Sequence, residues 1–308
     1  MKARSAILIT GASGGMASIV ASLLHEKYQL VGVDPRPLSA SRPFPGEFFQ
    51  MDYRSRKLAD LFRQYQFKGI LHLGRLPLAS ESRRMVRYNT NVLGTRHILE
   101  LALKYGVYNV VVSSTFHVYG AHQHNHLHIR EDDPLRASQI FPELVDVVEL
   151  DHVATTFSLK HRDIRTVILR PVNVVGPRIQ NRITQFLRGK YCPYVLGYDP
   201  VQQFLHEQDF ARALKLSLES DKSGIYNIAG EGVIPFTRAI KLAGAIPLPV
   251  PHFFAYPTAE LISRLGMSFP KHLIDYFRYP TIIADQAFRN DFGFRPDITT
   301  VKALRSIR

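Results

Sequence analysis

The chain has 308 residues, a length that fits one large domain with two lobes. Its hydrophobic share of 45% excludes a disordered or collagen-like chain, and its single cysteine, Cys192, excludes a disulfide framework and a cysteine-rich zinc site. The formal net charge of +13 predicts attraction for anions such as nucleotides, sugar nucleotides, nucleic acid or acidic lipid.

The first predicted elements are a short strand, a glycine-rich turn and a helix. Residues 6–9 form an apolar run typical of a strand buried on both faces, and apolar residues recur at helical spacing from Met16 to residue 24. The turn between them contains Gly11, Ser13, Gly14 and Gly15. Glycines in this order permit a tight bend and a close approach of the backbone to phosphates, which meet free N–H groups at the start of the helix. The segment therefore predicts a dinucleotide site.

A second apolar run, residues 30–33, ends in Asp34. A carboxylate at this place in a strand–turn–helix–strand unit accepts both hydroxyls of the adenosine ribose and repels a 2′-phosphate. Asp34 therefore predicts NAD as the cofactor rather than NADP, while Arg36, two residues on, is a partial counter-signal.

Strands and helices continue to alternate up to about residue 178. The pattern predicts strands at 48–51, 69–73, 108–114 and 166–169, and helices at about 83–105 and 143–160. This alternation is typical of an α/β fold with a Rossmann-type doubly wound parallel sheet. Beyond residue 178 prolines cluster and the predicted helices, 207–219 and 236–243, are short. We expect an NAD-binding domain at 1–177 plus about 203–230, and a smaller C-terminal substrate lobe at about 178–202 and 231–308.

Motifs in a fixed order run from one end of the chain to the other. They are Thr10-Gly11-x-x-Gly14-x-x-Ala17, Asp34, Asp52, His72-Leu73-Gly74, Asn91-Val92-x-Gly94-Thr95, Ser113-Ser114-Thr115-x-x-Val118-Tyr119-Gly120, Leu169-Arg170-Pro171-x-Asn173-x-x-Gly176-Pro177, Phe204-Leu205-His206-x-x-Asp209, Tyr226-Asn227-Ile228-x-Gly230 and Gly293-Phe294-x-Pro296. With them the chain resembles the extended short-chain dehydrogenases/reductases of the NAD-dependent epimerase/dehydratase family, which act on nucleotide sugars.

The resemblance implies roles for individual residues. The cofactor-binding residues would be Gly11, Ser13, Gly14, Gly15, Met16, Asp34, Asp52, Leu73, Gly74, Asn91, Ser113, Pro171 and Asn173, with Asp52 at the adenine edge and the last two near the nicotinamide. Asn173, Phe204 and His206 would contact substrate, and Thr115 matches the catalytic Ser/Thr. Alternative interpretations stay open: Thr115 as a polar strand end, Asn91 as a helix residue bonded to backbone, and His206 with Asp209 as a local cap.

The catalytic pair of this family is missing. Its chemistry needs a Tyr and a Lys four residues later, because the ammonium lowers the phenol pKa from about 10 so that it can exchange protons near neutrality. In this sequence only Tyr53 has a lysine at that spacing, Lys57, and the pair lies on the adenine side, away from the nicotinamide. The family spacing counted back from Asn173 points to Phe141 and Val145, or to Glu143 and Val147.

Three explanations follow from the missing pair. The protein binds NAD without redox chemistry, as a catalytically impaired sensor or scaffold; or another base serves, among Glu143, Asp146, Glu149 and His117; or the register differs.

Five histidines, at 117, 122, 124, 126 and 128, fall beside the expected active site. Without a cysteine nearby they indicate a solvated loop, and we expect no metal. The expected ligand is a small nucleotide-sugar-like anion.

We expect a homodimer formed through helices 83–105 and 143–160, because the second carries Leu144, Val147, Val148 and Leu150, more apolar surface than one sheet face needs. We expect no specific nucleic acid, since no basic motif is interleaved with aromatic residues, and no membrane span. A cytoplasmic location fits the cysteine usage.

Overall fold

The computed structural model describes residues 4–76, 84–251 and 271–308. The elements of its first part are β1 (Ala6–Thr10), α1 (Gly15–Leu24), β2 (Gln29–Asp34), β3 (Glu47–Gln50), α2 (Leu58–Tyr65), β4 (Gly69–His72), α3 (Arg84–Tyr88), α4 (Gly94–Lys104), β5 (Asn109–Ser113), α5 (Ala137–Ile140), α6 (Val145–Lys160), β6 (Arg165–Pro171) and β7 (Asn173–Val175). Those of the second part are α7 (Arg182–Arg188), β8 (Tyr191–Val195), β9 (Val201–Gln202), β10 (Phe204–His206), α8 (Glu207–Glu219), β11 (Gly224–Ile228), β12 (Ile234–Pro235), α9 (Phe236–Leu242), β13 (Ile246–Val250), α10 (Lys271–Tyr276), α11 (Gln286–Phe292) and α12 (Thr300–Arg305).

Seven parallel strands form the central sheet, in the order β3-β2-β1-β4-β5-β6-β11. Side chains of β1 alternate between two hydrophobic cores, one shared with α1 and α8 and the other with α2, α4 and α6. The predicted Rossmann-type doubly wound fold is confirmed. The strand order reverses between β1 and β4, and in open α/β sheets ligands bind outside the carboxyl ends of the strands at such a reversal.

The helix predicted at 83–105 is interrupted. A π-helical turn, Asn89–Leu93, separates α3 from α4. Within it the Asn91 side chain bonds the backbone of Leu76, and the Thr95 hydroxyl donates to the Asn91 carbonyl at 2.5 Å. Side-chain bonds of this kind compete with the regular helical pattern, and π-turns recur at functional sites.

The apolar residues of α6 do not form the surface expected for a dimer. Leu144, Val147, Val148 and Leu150 are each at most 5% exposed and pack into the two cores of the same chain. These four residues therefore do not supply the apolar surface expected for a dimer, because both faces of this helix segment are covered within one chain. Leu159 near the end of α6 is exposed, and further exposed apolar side chains lie on the 84–104 stretch, at Met85, Val86, Leu93 and Leu103.

Short strand pairs and helices build a smaller region beyond the sheet. The strand β7 pairs with β10, β9 with β12, and β8 with β13. Its core includes the stacked rings of Phe236 and Phe277, whose centroids are 4.4 Å apart. Within the described ranges, no helix combines the length and apolarity that crossing a bilayer requires.

Candidate cofactor site and active site

The turn after β1 contains two glycines at positions where any side chain would collide with backbone atoms. Gly11 has φ +72°, its N–H donates to the Val33 carbonyl at 2.9 Å, and a Cβ there would lie 2.8 Å from Gly74 Cα. A Cβ at Gly15 would lie 2.3 Å from the Arg178 carbonyl oxygen. The turn thus fits between the end of β4 and the segment after β7 only because both positions lack side chains.

The helix that follows offers a site for an anion. Gly14 is the N-cap of α1, no side chain caps the helix, and its first turn, beginning with Gly15 and Met16, holds no acidic residue. The N–H groups and dipole of such a helix start favour a phosphate. The predicted pyrophosphate position is therefore compatible with the electrostatics of this helix start.

Asp34 lies beside this turn at the end of β2 and is 1% exposed. Its carboxylate accepts the Ser13 N–H at 3.2 Å and two bonds from the Arg36 guanidinium, at 3.0 and 3.1 Å. Burial by itself raises the pKa of Asp34, but the hydrogen bonds from Arg36 and Ser13 hold that pKa below its usual range. The carboxylate predicted to bind ribose is therefore ionised and already accepts two hydrogen bonds, a fork, from the Arg36 guanidinium.

Asp52 follows β3 and carries the same kind of fork, from Arg54. A groove of about 520 Å³ is lined by Asp52, Arg54, Ser55, Asn89, Leu93 and His97. Tyr53, which lies between Asp52 and Arg54 in the chain, is buried, and its hydroxyl donates to the Gly74 carbonyl at 2.9 Å. The predicted adenine-edge carboxylate therefore faces open space, whereas the neighbouring phenol supports the end of β4.

His72 links the cofactor turn to the π-helical turn. The Gly74 N–H donates to the Thr10 hydroxyl oxygen, which lies 2.7 Å from His72 Nδ1, and His72 Nε2 lies 2.9 Å from the Thr95 hydroxyl. Since the Thr95 hydroxyl donates to the Asn91 carbonyl, Nε2 must donate to Thr95 and Nδ1 must accept from Thr10. Burial lowers the pKa of His72 to about 4, which agrees with this neutral tautomer.

Asn91, predicted to bind the cofactor, has its side-chain polar atoms engaged by protein groups. Its Oδ1 accepts the Leu76 N–H at 2.8 Å, and its Nδ2 donates to the Asp146 carboxylate at 2.5 Å. Arg87 donates to the same carboxylate at 2.8 Å and to the Glu143 carbonyl at 2.7 Å. Arg87 and Asp146 are each 3% exposed. This buried ion pair, which the sequence did not reveal, fixes the start of α6 against the π-helical turn.

Several other predicted residues lie where the carboxyl ends of the strands meet. Ser113 ends β5, Pro171 ends β6, Asn173 begins β7, and Leu73 with Gly74 follows β4 directly. The structure therefore brings the predicted nicotinamide-side residues to the same sheet edge as the glycine turn.

Thr115 follows β5 at the same edge and caps a short 3₁₀ turn, Phe116–Tyr119. Its hydroxyl lies 2.9 Å from His117 Nδ1. The Tyr276 hydroxyl, from the C-terminal region, donates to the His117 carbonyl at 2.9 Å, and the two rings pack edge to face. Thr115 thus has an imidazole neighbour, His117, whose backbone carbonyl is bonded by Tyr276 of the C-terminal region.

The segment where the family spacing places the catalytic pair starts α6. Phe141 and Val147 are buried, while Glu143 and Val145 are half-buried in a 3₁₀ turn and at the helix start. Neither register provides a phenol with an ammonium.

A buried polar network lies behind Thr115. Asp151 of α6 accepts two bonds from Arg170, at 2.9 and 2.7 Å, and one from Ser114 at 2.5 Å. Arg170 also donates to the Tyr119 hydroxyl, which donates to Asn227 at 2.8 Å. Arg170 and Tyr119 belong to motifs of the sequence, but nothing in the sequence identified this network or Asp151 as their partner.

Two predicted substrate contacts have local structural roles. The His206 ring accepts the Gln208 N–H at 3.2 Å and so caps α8, which agrees with the cap interpretation for His206 but not for Asp209. Phe204 is 1% exposed, and Asp209 accepts the N–H groups of Asp297 and Ile298. Substrate contact by Phe204 and His206 stays a prediction.

The histidines after His117 make isolated contacts. The rings of His122 and His124 are 5.1 Å apart, and His126 lies 3.1 Å from Asp133. In the part of the chain that the structure describes, no three His, Cys, Asp or Glu side chains are grouped as a metal ion needs.

The fold and the glycine turn together define a Rossmann-type α/β protein with a dinucleotide-type site. The sequence model of the NAD dependent epimerase/dehydratase family matches residues 7–229, so the chain belongs to that family. An uncharacterized protein of Mycobacterium tuberculosis is 28% identical over 309 residues, covering 97% of this chain and 82% of that protein. UDP-glucose 4-epimerase 2 of Arabidopsis thaliana is 28% identical over 293 residues, covering 79% and 82%.

Solved structures show the same fold. UDP-glucose 4-epimerase of Thermotoga maritima, solved with UDP-glucose, has a TM-score of 0.80 at 19% identity and covers 98% of this chain and 97% of its own. UDP-glucose 4-epimerase of Thermus thermophilus, solved with NAD, has a TM-score of 0.78 at 18% identity over 98% and 97%.

Proposed function

We propose that the protein binds NAD and a nucleotide-sugar-like anion, and that its acid/base site differs from that of a nucleoside-diphosphate-sugar epimerase or dehydratase. The observation that carries the proposal is the contrast between an intact glycine turn against Gly74 and a start of α6 without a Tyr–Lys pair. Neighbouring folds solved with NAD or with UDP-glucose support the choice of ligands.

The residues at the β1–β4 crevice fit a dinucleotide. The uncapped start of α1 would hold the pyrophosphate, the buried Asp34 carboxylate the ribose, and Asp52 the adenine edge. When bound, the nicotinamide supplies hydride transfer. The protein's contribution to any reaction is then the proton exchange at the substrate hydroxyl, next to Thr115.

The tyrosines near the site do not replace the missing base. Burial raises the pKa of Tyr119 to about 12 and raises the pKa values of Tyr53 and Tyr276 further above the usual range. Lys57, at the right spacing from Tyr53, is exposed while the Tyr53 hydroxyl bonds the Gly74 carbonyl. These phenols stay protonated near neutrality, so none is an efficient general base.

Among the proposed substitutes, His117 has the best geometry. Its Nδ1 lies 2.9 Å from the Thr115 hydroxyl, so it can exchange a proton with that hydroxyl and, through it, with a substrate hydroxyl bonded to Thr115. Asp146 is bound by both Arg87 and Asn91, and proton transfer there would break a buried ion pair. Glu143 and Glu149 are half-buried and remain further candidates.

A paired assay tests this proposal. We expect measurable NAD binding, little or no epimerase activity on UDP-glucose, and loss of any residual turnover in Thr115→Ala. Thr155→Ala is the matched control, since the one hydrogen bond of the Thr155 hydroxyl to Asp151 is long, at 3.5 Å. Robust native turnover that Thr115→Ala leaves unchanged contradicts both the altered site and its position. If Thr115→Ala abolishes turnover, His117→Ala and Glu143→Ala identify the substitute base.

The second candidate is a non-catalytic NAD-binding sensor or scaffold, which the missing Tyr–Lys pair favours. It predicts NAD binding with no turnover of any sugar nucleotide and no bound-NAD reduction.

A homodimer remains part of the proposal, now through the exposed apolar side chains Met85, Val86, Leu93 and Leu103. Light scattering should give a particle of two chains at micromolar concentration, and Met85→Glu should shift it toward one chain. A native monomer contradicts the dimer.

A further inference from the structure

The ends of four elements meet at one side of the smaller region beyond the sheet. The Ile246 N–H donates to the Lys190 carbonyl at 2.9 Å and so joins the starts of β13 and β8. The Arg308 guanidinium, which follows α12, donates to the Gly189 carbonyl at 2.9 Å. A Cβ at Gly244, which follows α9, would lie 3.3 Å from Arg308 Nη1. The starts of β8 and β13 and the ends of α9 and α12 therefore form one surface.

This surface, which we name the basic end, carries four exposed basic side chains, at Lys190, Lys241, Arg305 and Arg308. The segments that build it, 188–198, 241–250 and 300–308, contain no aspartate or glutamate. Within the part of the chain that the structure describes, none of the four side chains pairs with a carboxylate, whereas the equally exposed Arg63 pairs with Asp60. Their positive charge is therefore available to an external anion.

Acidic residues lie at the opposite ends of the two helices. Asp199 accepts the Thr237 N–H at 2.8 Å near the start of α9, and the Glu231 carbonyl accepts the Thr300 hydroxyl at 2.7 Å at the start of α12. These carboxylates lie about one helix length from the basic end and do not neutralise it. Part of the net charge of +13, which the candidate cofactor site does not explain, is located here.

Apolar side chains are exposed beside these charges. Tyr191 and Ile246 face each other in register across β8 and β13 and are 54% and 50% exposed. Leu248, two residues further on the same face of β13, is 48% exposed. The Lys190 ammonium lies 5.4 Å from the centre of the Tyr191 ring, so charge and apolar surface adjoin directly.

We propose that the basic end binds the surface of an anionic lipid bilayer and attaches the protein peripherally to a membrane. Lysine and arginine attract anionic headgroups, and aromatic and aliphatic side chains beside them can enter the boundary between headgroups and acyl chains. Nucleic acid offers the same negative charge, but its phosphate backbone has no apolar phase to take up Ile246 and Leu248. The exposed aliphatic side chains therefore favour the bilayer. None of these residues belongs to the candidate cofactor site, so the inference is independent of the proposed function.

Cosedimentation of the full chain with lipid vesicles tests the proposal. The native protein should bind vesicles with about 30% phosphatidylserine in phosphatidylcholine, bind phosphatidylcholine alone far more weakly, and dissociate in about 1 M salt. Lys190→Ala combined with Lys241→Ala should weaken binding about tenfold or more, since each basic side chain at an anionic membrane contributes about fivefold. Ile246→Ser should weaken it about threefold or more at unchanged charge.

Lys104→Ala combined with Lys160→Ala is the matched control. Lys104 lies beside a tyrosine ring, as Lys190 does, and Lys160 lies in the last turn of α6, as Lys241 does in α9. This pair removes the same charge from another part of the molecule and should change vesicle binding by less than about twofold. An equal loss of binding in both double variants overturns the assignment to the basic end.

Three further results would overturn the proposal. The first is a native protein that does not prefer phosphatidylserine vesicles, and the second is undiminished vesicle binding in Lys190→Ala with Lys241→Ala. The third is binding of polyuridylate RNA, without vesicle binding, that the double variant removes and Ile246→Ser leaves intact, because the basic end would then be a nucleic-acid site. NADH binding, which tests the proposed function, should be unchanged in every variant.

Discussion

The turn after β1 and the start of α6 use close packing in different ways. At the turn, residues 11 and 15 lack side chains, and Gly74 and the Arg178 carbonyl fill that space while the start of α1 stays uncapped. At α6, Val147 enters the core and Asp146 joins a buried ion pair with Arg87. Backbone donors remain available to a ligand at the first place, whereas side chains at the second are engaged within the protein. We propose on this contrast that the chain keeps the family's cofactor geometry while its proton-transfer geometry differs.

The largest expected effect concerns the buried polar network of Asp151 and Arg170, which lies behind Thr115. Asp151 is fully buried and pairs with Arg170, itself 3% exposed. Asp151→Ala leaves the buried Arg170 charge without its counter-ion and should reduce the free energy of unfolding by about 3–5 kcal/mol. Chemical denaturation measures it. Asp60→Ala, which removes an exposed pair with Arg63, is the control and should cost about 0–1 kcal/mol. Equal effects of the two changes would contradict a structural role for this network.

The second prediction concerns His72, whose hydrogen bonds link the glycine turn to the π-helical turn. The pKa of His72 falls from about 6.5 unfolded to about 4 folded, so the unfolded chain binds the extra proton between these values. The contribution of His72 to the free energy of unfolding should therefore be fully present above pH 6.5. It should fall by about 3 kcal/mol as the pH drops to 4. His72→Gln should flatten this part of the pH profile, whereas His25→Gln, at an exposed site, should not. A profile that His72→Gln leaves unchanged contradicts the neutral hydrogen-bonded chain.

The third prediction concerns the ligand. Asp34→Ala should weaken NAD binding by about 1–3 kcal/mol, the value of charge-assisted hydrogen bonds to ribose hydroxyls. Calorimetry on the native protein and the variant measures it, with Asp60→Ala as the control for loss of one negative charge. Tighter binding of NADP than of NAD by the native protein would contradict the assignment of Asp34.

Sequence patterns predict the elements around the glycine turn better than the side-chain contacts of the candidate acid/base region. The positions of the strands along the chain, the turn at Gly11 and the place of Asp34 at the end of β2 follow from local patterns, because apolar runs and glycines act on their neighbours in the chain. The partners of Arg87, Asp151 and His72 are 59, 19 and up to 62 residues away, and one chain carries no signal for such pairings.

Two further differences have the same origin. The π-helical turn depends on Asn91 bonding Leu76 and Asp146, which helical periodicity does not encode. The apolar residues of α6 were expected at a dimer interface, but α6 contacts both cores, so composition alone could not assign its faces.

The most direct test of the central claim is a crystal structure of the protein with NADH. We predict the pyrophosphate at the start of α1 and the nicotinamide beside Thr115. We also predict that no tyrosine hydroxyl paired with a lysine ammonium lies within hydrogen-bond reach of Thr115 and the nicotinamide. A phenol–lysine pair next to Thr115 and the nicotinamide ring would contradict the account, because the acid/base site would then be complete.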